Sequence, residues 1–239
     1  MAYRFYWRSA NAESGPIIIK DQEIIHQLTN VLRLKKNDIF TVFNQFAEFE
    51  LVIKEINNRA ITADIIEKKD INREPARQIY LYQSLLKKDN FEWILQKGTE
   101  LGVQAFIPLV TDNSIVREIT EQKEKRFQKI IKEATEQCGG RRPPEFKKSM
   151  SFTESISYAA SQNGQKIIAW EGEKNMLLAQ LLKNKLLEYH LFIGPEGGFT
   201  AEEIKFAKKN KFDIVSLGPR ILRAETAAIA AASIILLSS

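Results

Sequence analysis

From Ile79 to the C-terminus, short apolar runs alternate with segments of helical periodicity, and this alternation limits the possible folds more than any other feature. Ile79–Leu85, Val103–Leu109, Lys166–Trp170, Leu191–Ile193 and Ile214–Leu217 read as strands. Leu191–Ile193 is continuously apolar, as a strand buried on both faces should be. Between them, Asp89 and Glu92 form a capping-box pattern ahead of Phe91, Ile94, Leu95 and Leu101, and Gly102 is a natural stop. Phe127, Ile130, Ile131, Ala134 and Cys138 share one face of a second helix, and Ser151 with Glu154 opens a third. Met176–Leu187 reads as helical, Thr200 with Glu203 caps a helix running to Asn210, and Ala224–Leu237 forms a closing helix. Strands separated by helices need crossover connections, so the expected class is α/β, with a mostly parallel sheet covered by helices on both faces.

The first 70 residues differ. Asp38–Phe43, Ala47–Ile56 and Ala60–Ile66 are strand-like, with period-2 alternation at Phe49, Leu51 and Ile53, and Asn57-Asn58 reads as a hairpin turn. With a helical turn over Ile24–Leu32, this predicts a small β-barrel-like domain over residues 1–70, a polar linker over 71–78 and the α/β domain over 79–239. A chain of 239 residues, 44% hydrophobic, is ample for two buried cores. One cysteine, Cys138, excludes an intramolecular disulfide and a cysteine metal cluster, and two histidines make a histidine zinc site unexpected, so no metal is expected. The start of the chain lacks an apolar signal core, and the run Ile229–Leu237 is too short to span a bilayer, so a cytoplasmic protein is expected. Net charge is +5, and residues 1–74 contribute nothing to it, with 11 Lys/Arg against 11 Asp/Glu. Part of the excess lies in Arg117–Lys148, with 10 basic against 6 acidic residues, including Arg141-Arg142.

Ligands of parallel sheets bind beyond the carboxyl ends of the strands. Gly194-Pro195-Glu196-Gly197-Gly198 lies at such an end. It lacks the lysine of a P-loop, and Glu196 stands where the dinucleotide pattern needs its second glycine. A carboxylate there repels phosphate, which favours a ligand that is neutral or positive at the contact. Leu217–Ala227 is a second strand end, turn and helix start, with Arg220, Arg223 and Glu225 close together. A plain tight turn and a tightly packed alanine-rich helix remain the structural alternatives.

Together, Gly194–Thr200 with Glu203 and Leu217–Ala227 resemble the paired signatures of the ribosomal-RNA uracil-N3 methyltransferases, members of the SPOUT class. His26 with Val31-Leu32-Arg33, Leu95–Val103, and Glu133–Arg141 followed by Pro143-Pro144 resemble that family's remaining elements, in the same order. The sequence departs from the family pattern at Gln27, Asn113 and Ala224. The resemblance implies a PUA-like RNA-binding barrel, a C-terminal α/β domain tied as a trefoil knot, and a homodimer. It implies methylation of uridine N3 in 16S rRNA with S-adenosyl-L-methionine, a sulfonium without phosphate. The implied cofactor residues are Gly194, Glu196, Gly197, Gly198, Leu217, Gly218, Ile221, Leu222 and Ala227, with Trp170 and Glu171 as weaker candidates. Arg223 is the candidate for stabilising charge on the uracil and Glu225 for taking the N3 proton, although Glu225 could instead cap its helix. Arg4, Arg8, Arg33, Lys35, Lys36, Arg141 and Arg142 are candidates for RNA phosphate contacts. The other readings of the chain are a non-catalytic RNA-binding or ribosome-assembly factor on this scaffold, and a methyltransferase with another target atom.

Overall fold

The computed structural model describes residues 3–10, 16–70, 72–182 and 186–238. The chain divides into two compact units, one of residues 1–73 with 135–142, the other of residues 74–134 and 143–239.

The first unit is a five-stranded sheet in the order β1-β3-β4-β5-β2, made of β1 (Arg4–Tyr6), β2 (Ile17–Ile19), β3 (Ile39–Phe43), β4 (Glu48–Ile56) and β5 (Ile61–Lys69). β1 runs parallel to β3 and the other pairs are antiparallel. The alternation in β4 works as expected: Phe49, Leu51 and Ile53 are buried. Register shifts in the β4–β5 pair, between Glu50 and Leu51 and between Ile53 and Glu55, bend the sheet into a half-barrel. Asn57 closes that hairpin, its side-chain oxygen accepting from the Arg59 and Ala60 amides. Asp21 caps α1 (Gln22–His26) by accepting from Glu23 and Ile24, and the helix continues as a π turn over Gln27–Val31. Ile24, Ile25 and Leu28 complete the core of the unit against Phe40, Leu51 and Ile61.

The second unit holds a seven-stranded parallel sheet in the order β12-β10-β11-β6-β7-β8, with β9 also pairing β7. The strands are β6 (Gln78–Ser84), β7 (Ala105–Val110), β8 (Glu145–Phe146), β9 (Met150–Ser151), β10 (Gln165–Ala169), β11 (Glu188–Ile193) and β12 (Asp213–Val215). Because successive side chains alternate, each strand feeds two cores. Ile79, Leu81, Leu191 and Ile193 pack with Phe91, Ile94 and Leu95 of α2 (Asn90–Leu101) and with Ala224, Ala228 and Ile235 of α7 (Ala224–Leu237). Tyr82, Ile168, Phe192 and Ile214 face the other way, onto Phe152 and Ile156 of α4 (Phe152–Ser161) and Ile204 and Ala207 of α6 (Ala201–Lys209). The α/β expectation with a mostly parallel sheet and helices on both faces therefore holds.

The capping boxes at Ser151 and Thr200 form as expected, and Gly102 ends α2 in the left-handed conformation. The expected box at Asp89 does not form. Lys88 takes φ +56 and leaves Asp89 at φ −92, ψ 4, outside the extended geometry of an N-cap, so its carboxylate makes no capping bond. Glu92 instead binds Arg126 of α3 (Glu121–Cys138), at 2.6 and 2.8 Å. The helix expected over Met176–Leu187 is reduced to α5 (Leu178–Leu181), and residues 183–185 of that segment lie outside the described residues. Tertiary hydrogen bonds explain the late start: Ser216 donates to the Met176 carbonyl (2.8 Å) and accepts from the Leu178 amide (3.1 Å), and Leu177 between them is extended and bridged to Ser216. Among the described residues no helix is long and apolar enough to cross a membrane.

Candidate functional site

β12, β10 and β11 are neighbours and all parallel, so their carboxyl ends open side by side, at Val215, Ala169 and Ile193. The loops leaving them, 170–177, 194–200 and 216–223, enclose a cavity of about 640 Å³. All nine expected cofactor residues line it: Gly194, Glu196, Gly197, Gly198, Leu217, Gly218, Ile221, Leu222 and Ala227. Arg223 and Glu225 line it too, as do Trp170 and Glu171.

Each loop is held by specific contacts. Asn113, from the loop after β7, donates through Nδ2 to the Gly197 and Gly198 carbonyls at 3.0 and 3.1 Å. Glu203 caps α6 by accepting from Thr200, and its second oxygen accepts from the Asp112 amide at 3.0 Å, joining the same two loops. Glu196 accepts from the Lys87 amide at 3.1 Å, so one oxygen of this carboxylate anchors the turn after β6. That tempers the expectation that Glu196 repels phosphate, because part of its role is to hold a loop.

Two glycines shape the cavity. Gly218 has φ +125, and a Cβ there would meet nothing within 4 Å, so the backbone itself lies open to whatever fills the space. Gly198 has φ +66, and a Cβ there would lie 2.4 Å from Glu171 Oε1, so only glycine lets that carboxylate sit against the loop. The lining mixes glycines and apolar side chains with Glu171, Glu196 and Glu225 and with Lys174, Arg220 and Arg223, and the Gly194–Gly198 loop itself is followed by Phe199-Thr200, without the lysine of a phosphate-binding loop. A nucleoside without phosphates, bearing one positive centre, fits this set of donors.

Arg223 occupies the N-cap of α7 but makes no side-chain capping bond, and its side chain is exposed. Glu225 lies in the first turn, half-buried and facing the cavity.

The family model for the RNA methyltransferase domain matches residues 72–236. The ribosomal RNA small subunit methyltransferase E of Bacillus subtilis is 31% identical over 238 residues, covering 93% of this chain and 91% of its own length. The protein of that name from Rickettsia conorii is 32% identical, covering 95% and 92%. The chain belongs to the ribosomal RNA small subunit methyltransferase E family. A member of this family from Neisseria gonorrhoeae, solved bound to S-adenosyl methionine, superposes with TM-score 0.88 at 27% identity over 100% of this chain and 98% of its own. A Legionella pneumophila protein solved with the bound cofactor SAM superposes with TM-score 0.89 at 29% identity, covering 100% and 98%.

The basic residues expected at RNA are not brought together. Arg4 is an internal strut: it donates to Glu48 (2.9 Å) and to the Thr135 and Gly140 carbonyls (3.1 and 2.8 Å), and its guanidinium stacks 3.4 Å above the Phe43 ring. Arg141 donates to the Phe46 carbonyl at 3.1 Å and to Asp70 at 2.9 Å. Both side chains are thus engaged within the first unit. Arg8, Arg33, Lys35, Lys36 and Arg142 are exposed. The parallel register of β1 with β3 puts Arg8 beyond the carboxyl end of β3, while Arg33, Lys35 and Lys36 precede its amino end, so they form no single patch.

Sequence reasoning missed Asn90 and Lys174 in the cavity wall and the bracing role of Asn113. Asn90 directly follows the turn at the carboxyl end of β6, so strand-end topology alone could have flagged it. Asn113, three residues beyond the carboxyl end of β7, carries the same signal.

Proposed function

We propose that this chain methylates N3 of a uridine in the 16S RNA of the small ribosomal subunit. That it is an S-adenosylmethionine-dependent ribosomal RNA methyltransferase follows from its family; the target atom and the role of each residue are the proposal. The observation that carries it is the convergence of both glycine loops, with Arg223 and Glu225, on one cavity at the strand ends.

Bound S-adenosylmethionine supplies a methyl group on a sulfonium whose sulfur leaves as a neutral thioether. The open backbone at Gly218 and the Gly194–Gly198 loop would hold the nucleoside part, with Ile221, Leu222 and Ala227 as apolar contacts. Glu171, whose carboxylate has no hydrogen-bond partner among the described residues, would face the positive centre. Uracil N3 carries a proton at neutral pH and must lose it to attack. Glu225 accepts no hydrogen bond among the described residues and so is not acting as a cap; it is free to take the N3 proton. Arg223, with an unengaged guanidinium at the same rim, would stabilise the negative charge that develops on the uracil ring.

The reading also takes the half-barrel as a PUA-like RNA-binding module and the second unit as a knotted SPOUT domain. A homodimer is part of it, supported by an apolar side chain left exposed at the cavity, Ile221, which is 83% exposed. Small subunits assemble in the cytoplasm, and the reading places the chain there. Purified chain incubated with unmethylated small subunits and labelled S-adenosylmethionine should yield 3-methyluridine. A label on a ribose or on another base would reject the target atom, and calorimetry showing no cofactor uptake would reject the enzyme.

A further inference from the structure

Behind the cavity lies a second, open groove of about 570 Å³, lined by Trp170, Ala201, Ile204, Lys205, Lys208 and Lys209. Trp170 lines both spaces. We propose that this groove takes the single-stranded RNA flanking the target nucleotide, with a base on Trp170 and the backbone phosphates on the three lysines; the inference rests on the methyltransferase reading above.

Three observations carry it. The first is charge. Lys205, Lys208 and Lys209 lie at i, i+3 and i+4, so α6 presents them on one exposed face about one turn apart. Glu202 pairs with Lys205 at 3.8 Å, Glu173 accepts from the Lys174, Asn175 and Met176 amides and acts on Lys208, and Glu203 is buried in its capping box, but three lysines and no acid line the groove itself. The groove wall is therefore net positive, which suits a polyanion. The second is the aromatic floor. A Cβ on Gly172 would lie 2.3 Å from the Trp170 ring, so the chain leaves position 172 bare for the indole to lie there. An aromatic face beside lysines is what strand binding without base-specific readout requires. The third is continuity: because Trp170 separates groove from cavity, a strand in the groove leads its neighbouring nucleotide to the methyl donor. Trp170, Ala201 and Ile204 give the groove an apolar side as well, and the three lysines beside them favour a polyanion over a partner protein.

The test replaces Lys205, Lys208 and Lys209 together with glutamine, a good helix former on an exposed face. The substrate is small subunits lacking the modification. The slope of log kcat/KM for subunits against log salt should flatten by about 2, from about 0.7 per phosphate contact. Cofactor affinity by calorimetry and the sedimentation coefficient should stay as in the parent protein. An unchanged slope would overturn the proposal, as would a changed oligomeric state, which would make the groove a protein interface. Filter binding of the same subunits reads the same slope without turnover, so a failure of the methylation reading stays distinct from a failure of the groove. For the aromatic half, Trp7→Phe with Trp93→Phe leaves Trp170 as the sole indole of the three. Its emission should be quenched by oligouridylate, and the lysine substitutions should abolish the quenching; unaltered emission at saturating oligouridylate removes Trp170 from the strand path.

Discussion

Glu225 and Arg223 sit one residue apart, and their surroundings differ in a way that assigns distinct work to each. Neither is consumed by the start of α7: Arg223 occupies the N-cap without a side-chain bond, and Glu225 follows in the first turn facing the cavity. Glu225→Gln should lower single-turnover methylation by about 10²–10⁴-fold while cofactor affinity stays within about twofold. Full activity with the cofactor saturating would remove Glu225 as the base. Gly218→Ala acts differently. Its φ of +125 disfavours any side chain, and a methyl group there would enter the open space. Calorimetry should show cofactor binding at least about tenfold weaker. Long-range partners were the part of the residue scale that sequence could not supply. Arg4 and Arg141 look like any surface arginine in the chain, yet Arg4 bonds Gly140, 136 positions away, and Arg141 bonds Phe46, 95 positions away.

At the scale of elements, local chemistry was legible wherever it closed on itself. Ser151 with Glu154 and Thr200 with Glu203 are reciprocal bonds within four residues, and both formed as read. The bounds of α7, Ala224–Leu237, follow from the loop before it and its unbroken run of helix-compatible residues. Where a distant contact competes, the pattern misled. Asp89 is turned out of cap geometry by the left-handed Lys88, and Leu177 is held extended by its bridge to Ser216. Two substitutions probe the loop bracing. Thr200→Ala should cost about 1 kcal/mol of stability in urea titrations, the usual value of an N-cap. Asn113→Ala leaves a helix-free loop intact but frees the Gly197 and Gly198 carbonyls. Cofactor affinity should fall about tenfold with little change in melting temperature, and a melting loss without an affinity loss would make the brace merely structural.

For the whole molecule, periodicity gave the parallel sheet and the bent sheet of strands. It could not give the return of residues 135–142 to the first unit, because nothing local in that segment marks its partner. Stability should respond to acid through His190. Burial pushes this imidazole below its ordinary value of 6.5, against the pull of Glu188, while Tyr82 and the Asn163 carbonyl occupy its two nitrogens. The unfolded chain therefore binds a proton that the folded one resists, so stability present above about pH 6.5 is lost as pH falls below it. Calorimetric melting from about pH 7 to about pH 5 should show a decline that His190→Phe makes shallower; equal slopes would contradict this. The claim on which the whole account depends is the identity of the methylated atom. Nucleoside mass spectrometry of 16S RNA, taken from cells lacking the gene and from the same cells carrying this chain, tests it most directly. The account predicts 3-methyluridine absent from the first and restored in the second, but not by the Glu225→Gln variant; equal 3-methyluridine in both strains, or restoration of a different modified nucleoside, would contradict it.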